Sequence, residues 1–222
     1  MSKSQVIATL RMSQDRKIIE SLATAQRMIS TVRNHEPLST LLADYGYGEE
    51  GLAAGESLCE TLQEKLLARQ AAMGAERAAN AEVRTARETA RAEYVDFRRV
   101  ARVFFTDSAS HEALGIDDRI AEDQEQFITQ ARNTYFAAKL APYVDVLAEH
   151  GFGVEALDDV IANVHTLQDA DTVRAIVRSR ALSATQQRNA AAEALRVWVR
   201  QFKQVAAVAL REEPHLHREL FS

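Results

Sequence analysis

The sequence predicts an all-α fold: an elongated antiparallel helical bundle with two long helices and an internal pseudo-twofold repeat. Three observations carry that prediction. Ala, Glu, Gln, Arg and Leu dominate a chain with only 8 Gly and 3 Pro in 222 residues, a composition that suits long helices and leaves little strand chemistry. Two long stretches place apolar residues three and four apart, the period of a helix face. One sentence is written twice, LADYGYGEEGL from Leu42 and LAEHGFGVEAL from Leu147.

The duplication extends well beyond those lines. At an offset of 105 residues, Pro37 meets Pro142, Gly46 meets Gly151, Thr61-Leu62-Gln63 meets Thr166-Leu167-Gln168, Phe97 meets Phe202, and Val100-Ala101 meets Val205-Ala206. Such self-similarity marks repeated supersecondary units. We read one helical-bundle domain over residues 1–222, with repeats over about 14–116 and 117–221.

Each repeat opens with a shorter helix, predicted over about Gln14–Asp44 and about Asp117–Glu149. Pro37 and Pro142 interrupt them at matching places, because an interior proline removes a hydrogen bond and clashes with the preceding turn. Gly46 and Gly151 suit the left-handed position that ends a helix. Gly48 and Gly153 stand where the next helix begins, and Glu49, Glu50 and Glu155 set negative charge against its positive end.

The first long helix is predicted over about Glu49–Phe105 on a heptad-like, coiled-coil seam of Cys59, Leu62, Leu66, Met73, Val83, Ala90, Tyr94, Phe97, Ala101 and Phe104. Unbroken, it extends roughly 85 Å. The second, over about Val154–Arg211, carries Leu157, Val160, Val164, Leu167, Val173, Ile176, Val177, Leu195, Trp198, Val199, Phe202, Val205 and Val208. Both thin to alanine in the middle, and Gly74 and Ser179 mark the places where a break is expected to be cheapest. Between the repeats, TDSASHEALGIDDR offers Asp107, Ser108 or Ser110 as a cap, Gly115 as a stop and Asp117 as the next N-cap, and HEAL there is echoed by HREL at 217–220.

With LADYGYGEEGL and its echo in view, the chain resembles a family of uncharacterised bacterial all-helical proteins built from two tandem short-helix, glycine-turn, long-helix repeats. The resemblance covers about residues 15–221. It departs at Gly48 and Gly153, where a capping Thr or Ser is usual. It implies the fold and no activity.

For function, the net charge of -5 disfavours a general nucleic-acid binder. A single cysteine, Cys59, excludes a disulfide framework and suits a reducing compartment. The N-terminal apolar stretch Val6–Leu10 is too short for a signal-peptide core. No stretch suits a membrane span, so a cytoplasmic location is expected.

A carboxylate-bridged metal bundle needs two Glu-x-x-His motifs. Among His35, His111, His150, His165, His215 and His217, only His215 has a glutamate, Glu212, three residues before it. Glu82, Glu88 and Glu93 have no histidine in register, and His215, His217, Glu212 and Glu213 read more simply as an exposed terminus. Ser57 and Cys59 are candidate nucleophiles without a neighbouring base. The aromatic residues, all from Tyr45 onward, stand at helical spacing and read as core rather than as a stacking platform. We therefore expect no catalytic residue, cofactor or metal.

Arginine is the distinctive feature. Arg77, Arg84, Arg91 and Arg98 recur every seven residues on the first long helix. The second carries Arg174, Arg178, Arg188, Arg196, Arg200 and Lys203, candidate residues for an anion or a partner, with Glu193 the only acid from Arg174 to Arg211. The ordinary account of the first set is ion pairing, since Asp117, Asp118, Glu122, Asp123 and Glu125 lie ahead on the returning helix. The expected function is a non-enzymatic structural or interaction protein with a protein partner or self-association. The alternatives are an anion-binding module, for nucleic acid, polyphosphate or an acidic partner, and a carboxylate-bridged metal-binding bundle.

Overall fold

A computed structural model describes the backbone of residues 3–221 and the side chains of residues 15–221. Among the described residues there are helices and turns and no strand. In order they are α1 (Lys3–Asn34), α2 (Glu36–Leu42), a wide turn at Ala43–Tyr47, α3 (Glu49–Phe104), α4 (Ser108–Leu114), α5 (Gln124–Ala138), α6 (Tyr143–Ala148), α7 (Val154–Ala209) and α8 (Pro214–Phe221).

Sequence chemistry explains most of these boundaries. The chain stops at Asn34 and restarts at Glu36 with Pro37 in the first turn of α2, where its missing N–H is harmless. Pro142 likewise precedes α6. Gly46 and Gly151 take φ of 84° and 87°, a conformation that costs other residues steric strain. The carbonyls of Gly48 and Gly153 then accept from Leu52 and Leu157, the first hydrogen bonds of the two long helices. Both helices run 56 residues, straight through Gly74 and Ser179. A helix-interior glycine costs only about 1 kcal/mol, too little to break so long an element.

Packing divides the chain into two compact units, and the division does not fall at the expected repeat boundary near residue 116. Unit 1 comprises Met1–Ala72 with Ala181–Ser222, and unit 2 comprises Met73–Arg180. Both boundaries lie in the alanine-rich middles of α3 and α7. Each unit therefore combines the glycine-turn hairpin and first half of one long helix with the last half of the other.

The core of unit 1 is built from Leu22, Ala25, Met28, Ile29 and Val32 of α1, Leu38 and Leu42 of α2, Leu52, Cys59 and Leu62 of α3, Leu195, Trp198, Phe202 and Ala206 of α7, and Leu216 and Leu220 of α8. Thus the segment around His215 is not a loose terminus: α8 packs through its leucines. Unit 2 joins Val83, Ala90, Tyr94, Phe97 and Ala101 of α3 to Phe127, Ala131, Tyr135 and Ala138 of α5 and to Leu157, Val160, Val164 and Leu167 of α7.

The hairpins close alike. Tyr47, just past the first glycine turn, meets Phe202 edge to face at 5.0 Å, and Phe152, past the second, meets Phe97 at 5.2 Å. Aromatic pairs favour that geometry. Along the short helices the correspondence is one residue out of the register that holds from Pro37 onward. Leu22, Ala25, Met28, Ile29 and Val32 match Ile128, Ala131, Thr134, Tyr135 and Ala138. Residues 33–36 separate Val32 from Pro37, whereas only 139–141 separate Ala138 from Pro142.

Three expectations about the seam are corrected. Phe105, not Phe104, enters the core, while Phe104 lies outside and stacks on the His150 ring at 3.5 Å. Val173, Ile176 and Val208 are exposed. Leu66 and Met73 are only half-buried, because the seam weakens toward the unit boundary.

Candidate functional site: an arginine-held strap and its open counterpart

The helix predicted to begin at Asp117 begins seven residues later. Residues 115–123 form an irregular strap, and Asp123 supplies the cap of α5, its carboxylate accepting from the Gln126 N–H at 3.0 Å. Asp117 instead faces His111 Nδ1 at 2.7 Å, and His111 Nε2 reaches the Phe105 carbonyl at 2.6 Å. Ile116 is fully buried in the core of unit 2 and anchors the strap.

Arginines of α3 hold the rest. Arg98 donates to the carbonyls of Ile116 and Asp118, Arg102 to Ile116, Arg91 to Ala121 at 3.0 Å, and Arg87 to Glu122 at 2.5 Å. The acidic segment does lie along the basic face, as the charge pattern suggests. The contacts, however, go mainly to main-chain oxygens rather than to carboxylates. A stretch without helical hydrogen bonds has carbonyls to satisfy, and a guanidinium with five donors satisfies several at once.

Arg98 is the centre of this arrangement. It is 4 % exposed and lies over the Tyr94 ring at 5.5 Å. Burial holds its guanidinium below the ordinary arginine value, with Arg102 adding to the effect and Tyr94 and Asp118 opposing it. Arg91 sits 5.9 Å from the Phe127 ring, so the clamp is packed as well as hydrogen-bonded. Outside the strap lies an open groove of about 920 Å³, walled by Glu112, Asp118, Asp123 and Glu125 and floored by Gln130 and Thr134.

Unit 2 also holds a polar cluster that is buried at Tyr94, Thr134 and Tyr135 and half-buried at Glu93 and Asn163. Tyr94 and Thr134 share a hydrogen bond at 3.0 Å, and Asn163 donates to Glu93 at 2.8 Å. Glu93 Oε2 and the fully buried Tyr135 hydroxyl find no partner among the described residues. Burial raises the Glu93 carboxyl above its ordinary range, and Asp159 pushes the same way. Burial likewise raises Tyr135, with Glu93 contributing.

The six residues singled out on α7 are not one surface. Arg188 is 3 % exposed and bonds to Asp15, which also takes Arg69 at 3.1 Å. It is an internal residue of unit 1, and no local pattern announces this because Asp15 lies 173 positions away. Arg174 pairs with Asp171 and Arg178 is exposed, both in unit 2. Arg196, Arg200 and Lys203 stand exposed on unit 1, with Arg196 beside Glu193 and Lys203 5.9 Å from the Phe221 ring.

Arg196 and Lys203 each line a groove. One, of about 470 Å³, is lined by Lys17, Ile18, Ser21, Leu62, Ala192 and Arg196, among others. The other, of about 310 Å³, is lined by Thr24, Arg27, Met28, Lys203, His217, Leu220 and Phe221. Arg196 and Lys203 occupy the positions that Arg91 and Arg98 hold in unit 2.

The remaining candidates are accounted for. Cys59 is buried, and burial pushes its thiol up to about 11, with Glu56 and Glu60 assisting. That suppresses the reactive thiolate. Ser57 is exposed, and its carbonyl accepts from Thr61. Glu82 and Glu88 are exposed. His215 pairs with Glu213 at 3.3 Å, and His217 packs near Phe221. Among the described residues, no three of His, Cys, Asp and Glu gather closely enough to hold a metal ion. No helix among them is long and apolar enough to cross a membrane. No protein-family model, curated protein or solved structure matches the chain.

Proposed function

We propose that this chain is a non-enzymatic interaction protein whose long-helix faces bind other polypeptides. The observation that carries the reading is the strap: α3 uses four arginines to hold a non-helical main chain against a helix face. That is peptide recognition carried out within the chain, and it uses the same charge-assisted donors that recognise partners elsewhere. Exposed aliphatic residues on the long helices, Leu67 and Leu182 in unit 1 and Val173 and Ile176 in unit 2, add apolar contact area of the kind helix partners use.

The test is recovery of the tagged, full-length chain from its source cells at low salt, followed by mass analysis of the intact complex. A protein partner in fixed stoichiometry is expected. Recovery of the chain with a stoichiometric transition metal and no polypeptide partner would overturn the reading. Anion binding is the second reading, favoured by the exposure of Arg196, Arg200 and Lys203. It predicts affinity for polyphosphate that falls steeply between 50 and 200 mM salt.

A further inference from the structure

The two units differ in what covers one face. In unit 2 the strap returns along the C-terminal half of α3 before α5 begins. In unit 1 the corresponding helix has no such return: α1 is already helical at Lys3 and continues without a break through Ile18, the position matching the first residue of α5. On α7, Arg196 and Lys203 stand 105 positions after Arg91 and Arg98 and are exposed among the described residues, each lining one of two grooves of about 470 and 310 Å³.

The grooves and the strap contacts share two cationic positions. In the first groove, Ala192 and Arg196 stand at the positions of Arg87 and Arg91, which hold the carbonyls of Glu122 and Ala121. In the second, Lys203, His217 and Leu220 stand at the positions of Arg98, His111 and Leu114, and Arg98 holds the carbonyls of Ile116 and Asp118. Two of the four strap-holding cations therefore recur where no strap lies.

Their spacing is meaningful. Arg91 and Arg98 are seven residues apart, about 10.5 Å along a helix. The carbonyls they grip, Ala121 and Asp118, are three residues apart in the strap. Arg196 and Lys203 keep the seven-residue interval. Each groove also combines an apolar floor with a cationic rim: Ile18 and Leu62 with Lys17 and Arg196, then Met28, Leu220 and Phe221 with Lys203. Among the described residues lining either groove, Glu193 is the only carboxylate, and it is paired with Arg196. The strap itself, GIDDRIAED, combines aliphatic Ile116, Ile120 and Ala121 with acidic Asp117, Asp118, Glu122 and Asp123 around the single cation Arg119.

We propose that this track on unit 1 binds an extended acidic segment of a partner protein, bearing spaced aliphatic side chains and running antiparallel to α7, with Arg196 and Lys203 donating to carbonyls three residues apart. The proposal rests on the reading of the chain as an interaction protein and names the surface and the class of ligand.

The probe is a fluorescent nonapeptide of the strap sequence, residues 115–123, titrated into the purified full-length chain. Saturable binding is expected, with amide-exchange protection mapped to residues 17–28 and 189–203. The double variant Arg196→Glu, Lys203→Glu is expected to weaken it at least tenfold. Both side chains are exposed, so circular dichroism should stay unchanged, and Arg196→Ala with Lys203→Ala gives a gentler check should the reversal disturb the fold. A scrambled peptide of the same composition should bind several-fold more weakly than the strap sequence, and polyphosphate should compete poorly.

The proposal falls if there is no saturable binding at millimolar peptide, if the charge-reversed protein binds equally well, or if protection appears only in unit 2. Equal binding of the scrambled peptide or tighter binding of polyphosphate also overturns it, in favour of a general anion surface. Should the peptide fail while a stoichiometric protein partner still co-purifies with the chain, the track is wrong and the interaction reading stands.

Discussion

Unit 1 and unit 2 differ in chemistry at positions that correspond in the sequence. Where unit 2 has Glu93, Thr134, Tyr135 and Asn163, unit 1 has Trp198, Met28, Ile29 and Leu58 at the corresponding positions. Unit 1 makes room for its tryptophan by using Gly55 where unit 2 has Val160, and a Cβ on Gly55 would fall inside the indole. The backbone pattern is thus compatible with either an apolar or a hydrogen-bonded centre. What changes is the use of the outer face: unit 2 clamps its own strap, and in unit 1 the matching cations Arg196 and Lys203 stand exposed among the described residues.

The sharpest way to break the comparison is to empty each core at its matched phenylalanine. Phe97→Ala in unit 2 and Phe202→Ala in unit 1 should each cost about 3–5 kcal/mol, the usual range for a fully buried ring. Amide exchange should accelerate most in the unit carrying the change. Equal acceleration in both units would show that the two cores behave as one.

A smaller loss is expected at the clamp. Arg98→Met keeps much of the side-chain volume but leaves the Asp118 carbonyl without its donor, and removing a charged partner costs about 1.5–3 kcal/mol. Limited proteolysis should then cut within residues 116–122 before any other site in unit 2. An unchanged digestion pattern would mean that Ile116 alone fixes the strap.

The glycines give a matched pair. Gly55→Ala forces Trp198 to move and should destabilise by about 1–3 kcal/mol. Gly74→Ala meets nothing within 4 Å and should stabilise α3 by up to about 1 kcal/mol. Chemical denaturation of both variants checks the signs.

The smallest effect concerns Glu93, whose carboxyl burial holds above the ordinary range. A folded-state value above the unfolded one means that folding favours the protonated form. This group's contribution is then fully present below the ordinary carboxylate range and is lost as pH rises through the folded-state value. Glu93→Gln keeps an oxygen for Asn163 and removes that penalty. It should melt above the wild type at pH 7 and converge with it near pH 4, close to an unperturbed glutamate's value. A constant difference across pH would remove Glu93 as its source.

The backbone plan was legible because its signals are local. Gly46 and Gly151 answer a steric demand at their own residue, Pro37 and Pro142 restart helices where they stand, and apolar spacing fixes α3 and α7 as long elements. The strap was not legible. Asp117 and Asp123 have the same capping chemistry, and the choice between them is made by Arg87, Arg91 and Arg98, which belong to another helix. Arg188 reads as one more surface cation until Asp15 arrives from the far end of the sequence. Phe104 and Phe105 are adjacent and equally apolar, and the end of α3 decides which turns inward. As for the candidate site, the sequence pointed to Arg196, Arg200 and Lys203, but only the clamp in the other unit suggests what they could hold.

Because α3 and α7 each pass from one unit into the other, the chain enters unit 2 at Met73 and leaves it at Arg180, nesting one contiguous segment inside a discontinuous one. During synthesis, unit 2 emerges whole while the first piece of unit 1 must wait for α7 to finish. Leu22, Met28 and Leu62 are therefore without Trp198 and Phe202 for more than a hundred codons, a period in which a chaperone or another nascent chain can reach them.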